Sequence, residues 1–138
     1  MLEVRKVTQF DLHAPGWAEW QAGAVRGPKD EFSFFENDEE LARARIYPEY
    51  HLHVPYEGLR QGLFVDIDLV VVRDDRRGAG IGSDVVALLV SRYSGQEMIA
   101  FSAADGLWVK AGWIRAFRRD GDDLAWPLFV HPVNNGRY

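Results

Sequence analysis

Two segments of the chain alternate between apolar and polar residues with a period of two, the pattern of strands buried on one face. They are 2–7 and 41–47. The run at 63–72 is almost wholly apolar in its second half, which predicts a central strand buried on both faces. In chain order the predicted strands are 2–7, 31–36, 41–47, 63–72, 98–101, 113–118 and 124–130. The last two are expected to form a hairpin across 120–123.

Helical periodicity is confined to fewer segments. Apolar residues at three- and four-residue spacing predict a helix over 80–93, and a shorter one is expected at 105–111, before Gly112. In the ambiguous segment 10–30, a helix carrying Trp17 and Trp20 is opposed by proline and glycine, while 48–61 is expected to be irregular. This order of elements predicts an α/β fold with a mixed sheet flanked by helices and a C-terminal β-hairpin.

The composition favours a single globular domain and disfavours several kinds of partner and chemistry. The 138 residues are 47% apolar, which suits a single packed domain. The net charge of 16 − 21 = −5 disfavours nucleic acid as a partner. Without cysteine, disulfides and an acyl-enzyme thioester are excluded. The amino end lacks the apolar core of a signal peptide, and no apolar run approaches the ~20 residues that span a bilayer, so we expect a cytoplasmic protein with no membrane partner.

The segment 77–82, with the sequence RGAGIG, joins the predicted strand 63–72 to the predicted helix. Its glycines permit a tight turn and close approach of a ligand to the backbone. The helix that follows offers unpaired N–H groups and a partial positive charge. This combination predicts a site for a phosphorylated ligand.

Several phosphate-binding loops could account for this segment. A Walker loop requires a lysine directly after its last glycine, and none follows Gly82. A dinucleotide loop requires a third glycine one residue later than Gly82, although Asp105 lies at roughly the distance of a ribose-binding acid. A nicotinamide-binding protein therefore stays open, but the chain is too short for two βαβαβ halves.

The third pattern, Arg/Gln-x-x-Gly-x-Gly/Ala, is met by Arg77, Gly80 and Gly82. It resembles the acetyl-CoA loop of the GNAT N-acetyltransferase superfamily, and 107–113 (LWVKAGW) resembles a late motif of that superfamily. The resemblance covers 63–113 well and the C-terminal hairpin loosely. It implies a GNAT-like fold over 1–138, with 1–62 as a variable acceptor-side half and 63–138 as the acetyl-CoA-binding half.

The resemblance also implies a reaction and its ligands. Acetyl-CoA would be the co-substrate, and its acetyl group would move directly to a primary amine of a small molecule or a protein. A backbone N–H of Val70 or Val71 would hold the thioester oxygen. The residues expected to bind the coenzyme are Val70, Val71, Val72, Arg77, Gly78, Ala79, Gly80, Ile81, Gly82, Ser83 and Trp108.

Candidate catalytic groups follow from what acetyl transfer requires. Asp66 and Asp68 share one face of the predicted central strand, and either is a candidate base, unless an arginine of a neighbouring strand pairs with it. The superfamily often has a tyrosine where this chain has Trp108, and an indole is not usefully acidic. Ser102 is therefore a candidate general acid, whereas Tyr93 is expected to pack against the sheet.

For the remaining candidate site residues, a purely structural explanation is as open as a functional one. His51 and His53 have strand spacing, but without a strong third ligand we expect no metal site. Arg76, Arg118 and Arg119 either touch the coenzyme's 3′-phosphate or are solvated. Aromatic residues either line an acceptor pocket or belong to the core; these are Trp17, Trp20, Phe34 and Tyr56.

Two questions stay open at this level. The missing tyrosine leaves room for a non-catalytic acyl-CoA-binding module. Exposed edge strands leave room for a homodimer.

Overall fold

A seven-stranded mixed sheet forms the frame of the molecule. The computed structural model describes residues 1–21, 27–102, 105–121 and 127–132. In chain order the elements are β1 Glu3–Val7, β2 Asp30–Glu36, β3 Glu39–Leu52, β4 Gly62–Val72, a 3₁₀ turn Asp74–Arg76, α1 Ile81–Arg92, β5 Met98–Phe101, α2 Asp105–Lys110, β6 Ile114–Ala116 and β7 Leu128–Val130. The strand order is β1-β2-β3-β4-β5-β7-β6, with β4 and β5 parallel and the other neighbours antiparallel. The predicted mixed sheet, central strand and terminal hairpin are confirmed.

The two faces of the sheet are covered differently. On one face, α1 packs Val85, Val86 and Leu89 against inward-facing residues of β2 and β3. On the other face, Trp17 and Trp20 pack against β4. The second cover comes from the segment after β1, which contains turns and bends but no helix within its described residues.

The helix considered for 10–30 is therefore wrong for the described part of that segment. Gly16 has a φ of +88°, and a Cβ there would lie 3.2 Å from the side chain of Arg73, so the chain turns where a helix would have to continue. The tryptophans are buried by stacking on a cation instead, since the Arg43 guanidinium lies 4.2 Å from the centre of a Trp17 ring. Residues 22–26 lie outside the described part.

Strand β3 is longer than predicted, because it continues through Pro48 to Leu52. Proline lacks an N–H and usually ends a strand. Here the register with β4 shifts between Tyr47 and Tyr50, and pairing with β2 stops at Ile46, so no ladder bond is required of Pro48. The expectation of irregular structure is wrong for 48–52.

The terminal hairpin has shorter strands than predicted. Pairing runs from Ile114 opposite Val130 to Ala116 opposite Leu128, so the connection is 117–127 rather than a tight turn at 120–123. The backbone does turn at Gly121, whose N–H donates to the carbonyl of Arg118. Residues 122–126 lie outside the described part.

No helix within the described ranges is both long enough and apolar enough to cross a bilayer.

Candidate functional site

A cleft opens where strands β4 and β5 separate. The two strands pair only at Val65 with Met98 and at Asp66 with Ile99. Beyond this point β5 pairs with β7, while β4 continues to Val72 paired with β3. The carboxyl-terminal part of β4 therefore has one edge without a strand beside it. This explains why its residues 68–70 and 72 are only partly buried, which differs from the burial on both faces expected for that half.

A bulge in β4 decides which backbone groups face this cleft. The N–H of Val65 donates to the carbonyl of Glu97, next to β5 (2.9 Å), whereas the N–H of Arg73 donates to the carbonyl of Leu41 in β3 (2.9 Å). Val65 and Arg73 are eight residues apart, and on a regular strand the backbone N–H groups of residues an even number apart point to the same side. The register steps from Ile67 to Leu69 across one step of β3, which leaves Asp68 as the extra residue.

The consequence of the bulge is that the backbone amides of Val70 and Val72 point into the cleft. Their side chains line a groove of about 430 Å³ at the same place. Val71 faces the other way and packs its side chain with the two tryptophans. Of the two amides expected to meet a thioester oxygen, only that of Val70 is oriented toward the cleft.

The glycine loop forms the far end of the groove. Gly78 and Gly80 have φ values of +84° and +80°, and a Cβ at either position would have no protein atom within 4 Å. Gly80 is also the N-cap of α1 and has no side chain of its own that could cap that end, which leaves the first amides of the helix available to a ligand. Gly82 has a different role, because a Cβ there would lie 3.3 Å from Leu107 and 3.7 Å from Val72.

Most residues expected at the coenzyme site do line this groove: Val70, Val72, Arg77, Gly78, Gly80, Ile81, Gly82 and Ser83. Arg76, which we considered for the coenzyme's 3′-phosphate, lines the groove as well. Sequence reasoning missed four others, namely Glu19, Gly106, Leu107 and Lys110. The α2 residues at 106, 107 and 110 have the spacing of one helix face, which was a usable signal. No local signal identified Glu19, which reaches the groove from the segment covering the opposite face.

Trp108 lies behind the groove rather than in its wall. It is 3% exposed, and its ring centre lies 4.8 Å from that of Trp113 in the main core. Its position on α2 turns it inward while Leu107 and Lys110 face the groove. Ala79 and Val71 are likewise not among the lining residues.

The end of the groove that the glycine loop forms carries both cationic and anionic side chains. Arg77 donates to Glu19 (2.7 Å) and to Asp74 (3.1 Å). Arg76 donates to both carboxylate oxygens of Glu39 (2.8 and 2.9 Å). The cations nearest the glycine loop are thus already paired with carboxylates.

The two aspartates of β4 have different surroundings. Asp66 is fully buried and lies opposite Tyr47 of β3. Asp68 is at the bulge, with 19% of its side chain exposed, and accepts a hydrogen bond from Arg45 (3.3 Å). The ion pair with an arginine of a neighbouring strand, which we considered for Asp66 or Asp68, is therefore present at Asp68. It orients the carboxylate at the point where the cleft opens.

The other candidate groups lie away from the groove. The N–H of Ser102 donates to Pro127 (3.0 Å), which holds the end of β5 against β7. Tyr93 packs against the sheet as expected and donates to Asp30 (2.6 Å). Burial, together with that hydrogen bond, raises the pKa of Tyr93 above its usual range. This makes the phenol a poor proton donor.

With the exception of Arg76, the histidines, arginines and aromatic residues for which the sequence left both a functional and a structural explanation lie outside the groove. The exposed rings of His51 and His53 stack with centres 4.2 Å apart, and the described residues contain no group of three or more metal-ligating side chains. Arg118 pairs with Asp120, and Arg119 donates to the carbonyl of Tyr56, so neither lies in the groove. The four aromatic residues considered for an acceptor pocket are all buried: Trp17, Trp20, Phe34 and Tyr56.

Comparisons with known proteins give structural but not sequence matches. No family model and no curated protein matches the sequence. Among solved structures, KacTA in a complex with DNA superposes with a TM-score of 0.62 at 11% identity, over 95% of this chain and 92% of the other. YhhK of E. coli, described as a candidate N-acetyl transferase and solved bound to coenzyme A, superposes with a TM-score of 0.60 at 12% identity, over 95% and 99%. Two helices on a mixed seven-stranded sheet, together with these likenesses, identify the fold as GNAT-like.

Proposed function

We propose that the chain is an N-acetyltransferase that moves the acetyl group of acetyl-CoA directly to a primary amine. The single observation that carries this proposal is the separation of β4 from β5 beside an uncapped helix N-terminus. One groove then holds amides suited to a diphosphate at one end and strand amides suited to an acyl chain at the other. The likeness to YhhK, solved bound to coenzyme A, supports the choice of ligand.

The coenzyme would be held mainly by the backbone. The amides of 78–83 and the dipole of α1 would bind the diphosphate, with Arg77 adding a charged donor. The amides and carbonyls of Val70 and Val72 would pair with the pantetheine amides as an added strand does. Because β5 has separated from β4 at this level, the edge of β4 is open to such pairing.

Two groups of the chain have roles in the transfer. The Val70 amide would donate to the thioester oxygen and stabilise the negative charge that develops there. The attacking nitrogen forms the new C–N bond as the C–S bond breaks, and Asp68, or Asp66 behind it, would take the ammonium proton directly or through water. Ser102, the general acid considered from the sequence, does not line the groove, so the departing thiolate would take its proton from water. Positioning in the cleft would contribute most of the rate.

A non-catalytic acyl-CoA-binding module is the second candidate. The position of Trp108 favours it, because a buried indole cannot protonate a thiolate and Tyr93 is engaged with Asp30. Such a module would bind acetyl-CoA and release no free thiol with any amine.

Two measurements test these assignments. Calorimetry with CoA and with NADH comes first, and we expect saturable binding of CoA only. Release of the CoA thiol is then followed across a panel of amines. Binding of NADH without CoA would overturn the coenzyme assignment, and binding of CoA without thiol release for any amine would favour the binding module.

A further inference from the structure

A second cavity lies on the face of the sheet opposite α1. It has a volume of about 310 Å³ and opens between the segment after β1 and strands β2 and β3. Phe10 and Trp20 form its aromatic walls, with ring centres 4.8 Å apart in an edge-to-face contact. Glu31 and Arg45 form its floor, and Lys29 stands at its rim. Its size is at the lower end for small-molecule sites, and its lining mixes aromatic area with a few charged groups, as such sites do.

The lining offers more hydrogen-bond donors than acceptors. The indole Nε1 of Trp20 is buried and has no hydrogen-bond partner within the described part of the chain. An indole N–H can only donate, and a buried donor left unpaired costs about 1–3 kcal/mol. A ligand that brings an acceptor to this N–H would remove that cost.

The charges of the lining have an excess of one cation. Among the lining residues the cations Lys29 and Arg45 outnumber the anion Glu31, 2 − 1 = +1. Arg45 has a second carboxylate partner outside the lining, Asp68 (3.3 Å), so Lys29 carries the excess charge. Glu31 is shared, because it accepts from Arg45 (3.1 Å) and lies 3.5 Å from the Lys29 ammonium. Lys29 is about half exposed, with 49% of its side chain accessible, so its ammonium can turn toward a ligand. An organic carboxylate supplies an acceptor atom for the unpaired indole N–H of Trp20 and an anion for the half-exposed ammonium of Lys29.

The cavity is joined to the transfer site by one side chain. Arg45 is 2% exposed, and its guanidinium donates to Glu31 on the cavity floor and to Asp68 at the bulge of β4. Asp68 and the cavity floor therefore lie within the reach of one guanidinium group, close enough for a single acceptor to contact both. Arg45 fixes the positions of the Glu31 and Asp68 carboxylates relative to each other, because a planar guanidinium sets the directions of its hydrogen bonds.

We propose that this cavity binds a carboxylate of the acceptor, so that the acceptor is an amine that also carries an acidic group, such as an amino acid or a peptide. The inference rests on the proposed acetyl transfer and specifies its acceptor. Phe10 and Trp20 would contact the apolar part of the acceptor, while Trp20 Nε1 and Lys29 would bind its carboxylate.

The test compares pairs of amines that differ only in the carboxylate. Phenylalanine with phenethylamine, tyrosine with tyramine, and lysine with cadaverine form such pairs. We expect kcat/KM for at least one acid-bearing member to exceed that of its partner by about tenfold or more, the effect of one charge-assisted hydrogen bond. Equilibrium binding of the corresponding N-acetyl amino acids and their neutral amides, followed by calorimetry, measures the same preference without turnover.

Two variants separate this site from the rest of the protein. Trp20→Phe keeps an aromatic ring against Phe10 and Arg45 but removes the N–H, and Lys29→Gln removes the charge. Each should lower the acid-over-neutral preference about tenfold and leave CoA affinity unchanged. The matched control is Lys6→Gln, which makes the same charge change at the neighbouring strand β1, outside the cavity.

The outcomes distinguish the two proposals. Equal use of both members of every pair, or a preference that survives both variants, would overturn the carboxylate site while acetyl transfer stands. Preferential binding of the N-acetyl acids without thiol release from acetyl-CoA would instead support the site and contradict the transferase.

Discussion

The Nη1 atom of Arg77 lies 2.7 Å from a carboxylate oxygen of Glu19, in the groove where the coenzyme's diphosphate is proposed to bind. Glu19 belongs to the segment that covers the opposite face of the sheet. The same segment is tied to the loop again, because Asp74 donates its N–H to the carbonyl of Gly16 (2.9 Å). An incoming diphosphate therefore competes with Glu19 for Arg77.

Glu19→Gln should tighten CoA binding about two- to fivefold, since an exposed ion pair is worth about 0.2–1 kcal/mol. The gain should shrink as salt is raised, because both partners are solvent-exposed. Calorimetry at low and high ionic strength measures it. Glu49→Gln, an exposed charge change on β3, is the control and should have no effect. Weaker CoA binding by Glu19→Gln would show that the carboxylate assists the ligand.

Gly80→Asp should weaken CoA binding by about 100-fold or more, because a side chain and a negative charge would enter the cradle of amides. The matched control is Gly95→Asp at the other end of α1. It carries nearly the same backbone strain (φ +84° against +80°) and equally open surroundings. Both variants should lose similar stability, measured by thermal unfolding, but only Gly80→Asp should lose the ligand. Unchanged affinity in folded Gly80→Asp would contradict the placement of the diphosphate.

Asp68→Asn should lower kcat by about 100-fold and raise KM much less, because the amide keeps the shape of the side chain but cannot accept the ammonium proton. It also weakens an ion pair with a buried arginine, which lowers stability on its own. Glu40→Gln supplies the control, since Glu40 pairs with Arg43 at matching exposures (22% and 5%, against 19% and 3%). Glu40→Gln should lose stability and keep kcat. A pH profile of kcat that Asp68→Asn leaves unaltered would assign the base elsewhere.

Tyr93→Phe should reduce the free energy of unfolding by about 1–2 kcal/mol, because it removes the 2.6 Å hydrogen bond that joins the end of α1 to Asp30 of β2. Burial alone would raise the pKa of Asp30, but the Tyr93 hydrogen bond and the Lys6 ammonium outweigh it and hold that pKa below its usual range. A lowered carboxyl pKa contributes stability above the unfolded value of about 3.9 and loses it as pH falls through the folded value.

The difference between wild type and Tyr93→Phe should therefore be full at neutral pH and shrink below about pH 4. Urea denaturation at several pH values measures it. A difference that grows on acidification would show that Asp30 is not the titrating partner.

The residues of the glycine loop were predictable because their structure is local. A glycine can adopt positive φ wherever the chain has to turn, and a helix presents free amides at its first turn whatever surrounds it. The same holds for α1 and for most strands, which follow from periodicity. The bulge at Asp68 was not predictable, because it depends on the register of β4 against β3, strands joined by the long connection 53–61. Without it, the choice between the amides of Val70 and Val71 could not be made.

The structure of the segment after β1 could not be predicted, because it depends on contacts with distant parts of the chain. Its tryptophans suggested a helix or an acceptor pocket, whereas Arg43 of β3 determines their packing through its stacking beneath Trp17. Glu19 reaches the groove for the same reason, since its place depends on contacts with residues more than fifty positions away. Contacts between such distant residues produce no hydrophobic pattern in the sequence around either residue, so they cannot be predicted from it.

The amino-acid sequence by itself determined the backbone geometry of the glycine loop, the helix that begins there and the strands of the sheet, since each depends on dihedral preference or on periodicity within a few residues. The tertiary structure alone decided where β4 and β5 part, which β4 amides face the cleft, and which carboxylates pair with Arg45 and Arg77. Those outcomes depend on the pairing of distant segments, whose register is set by the packing of the whole sheet.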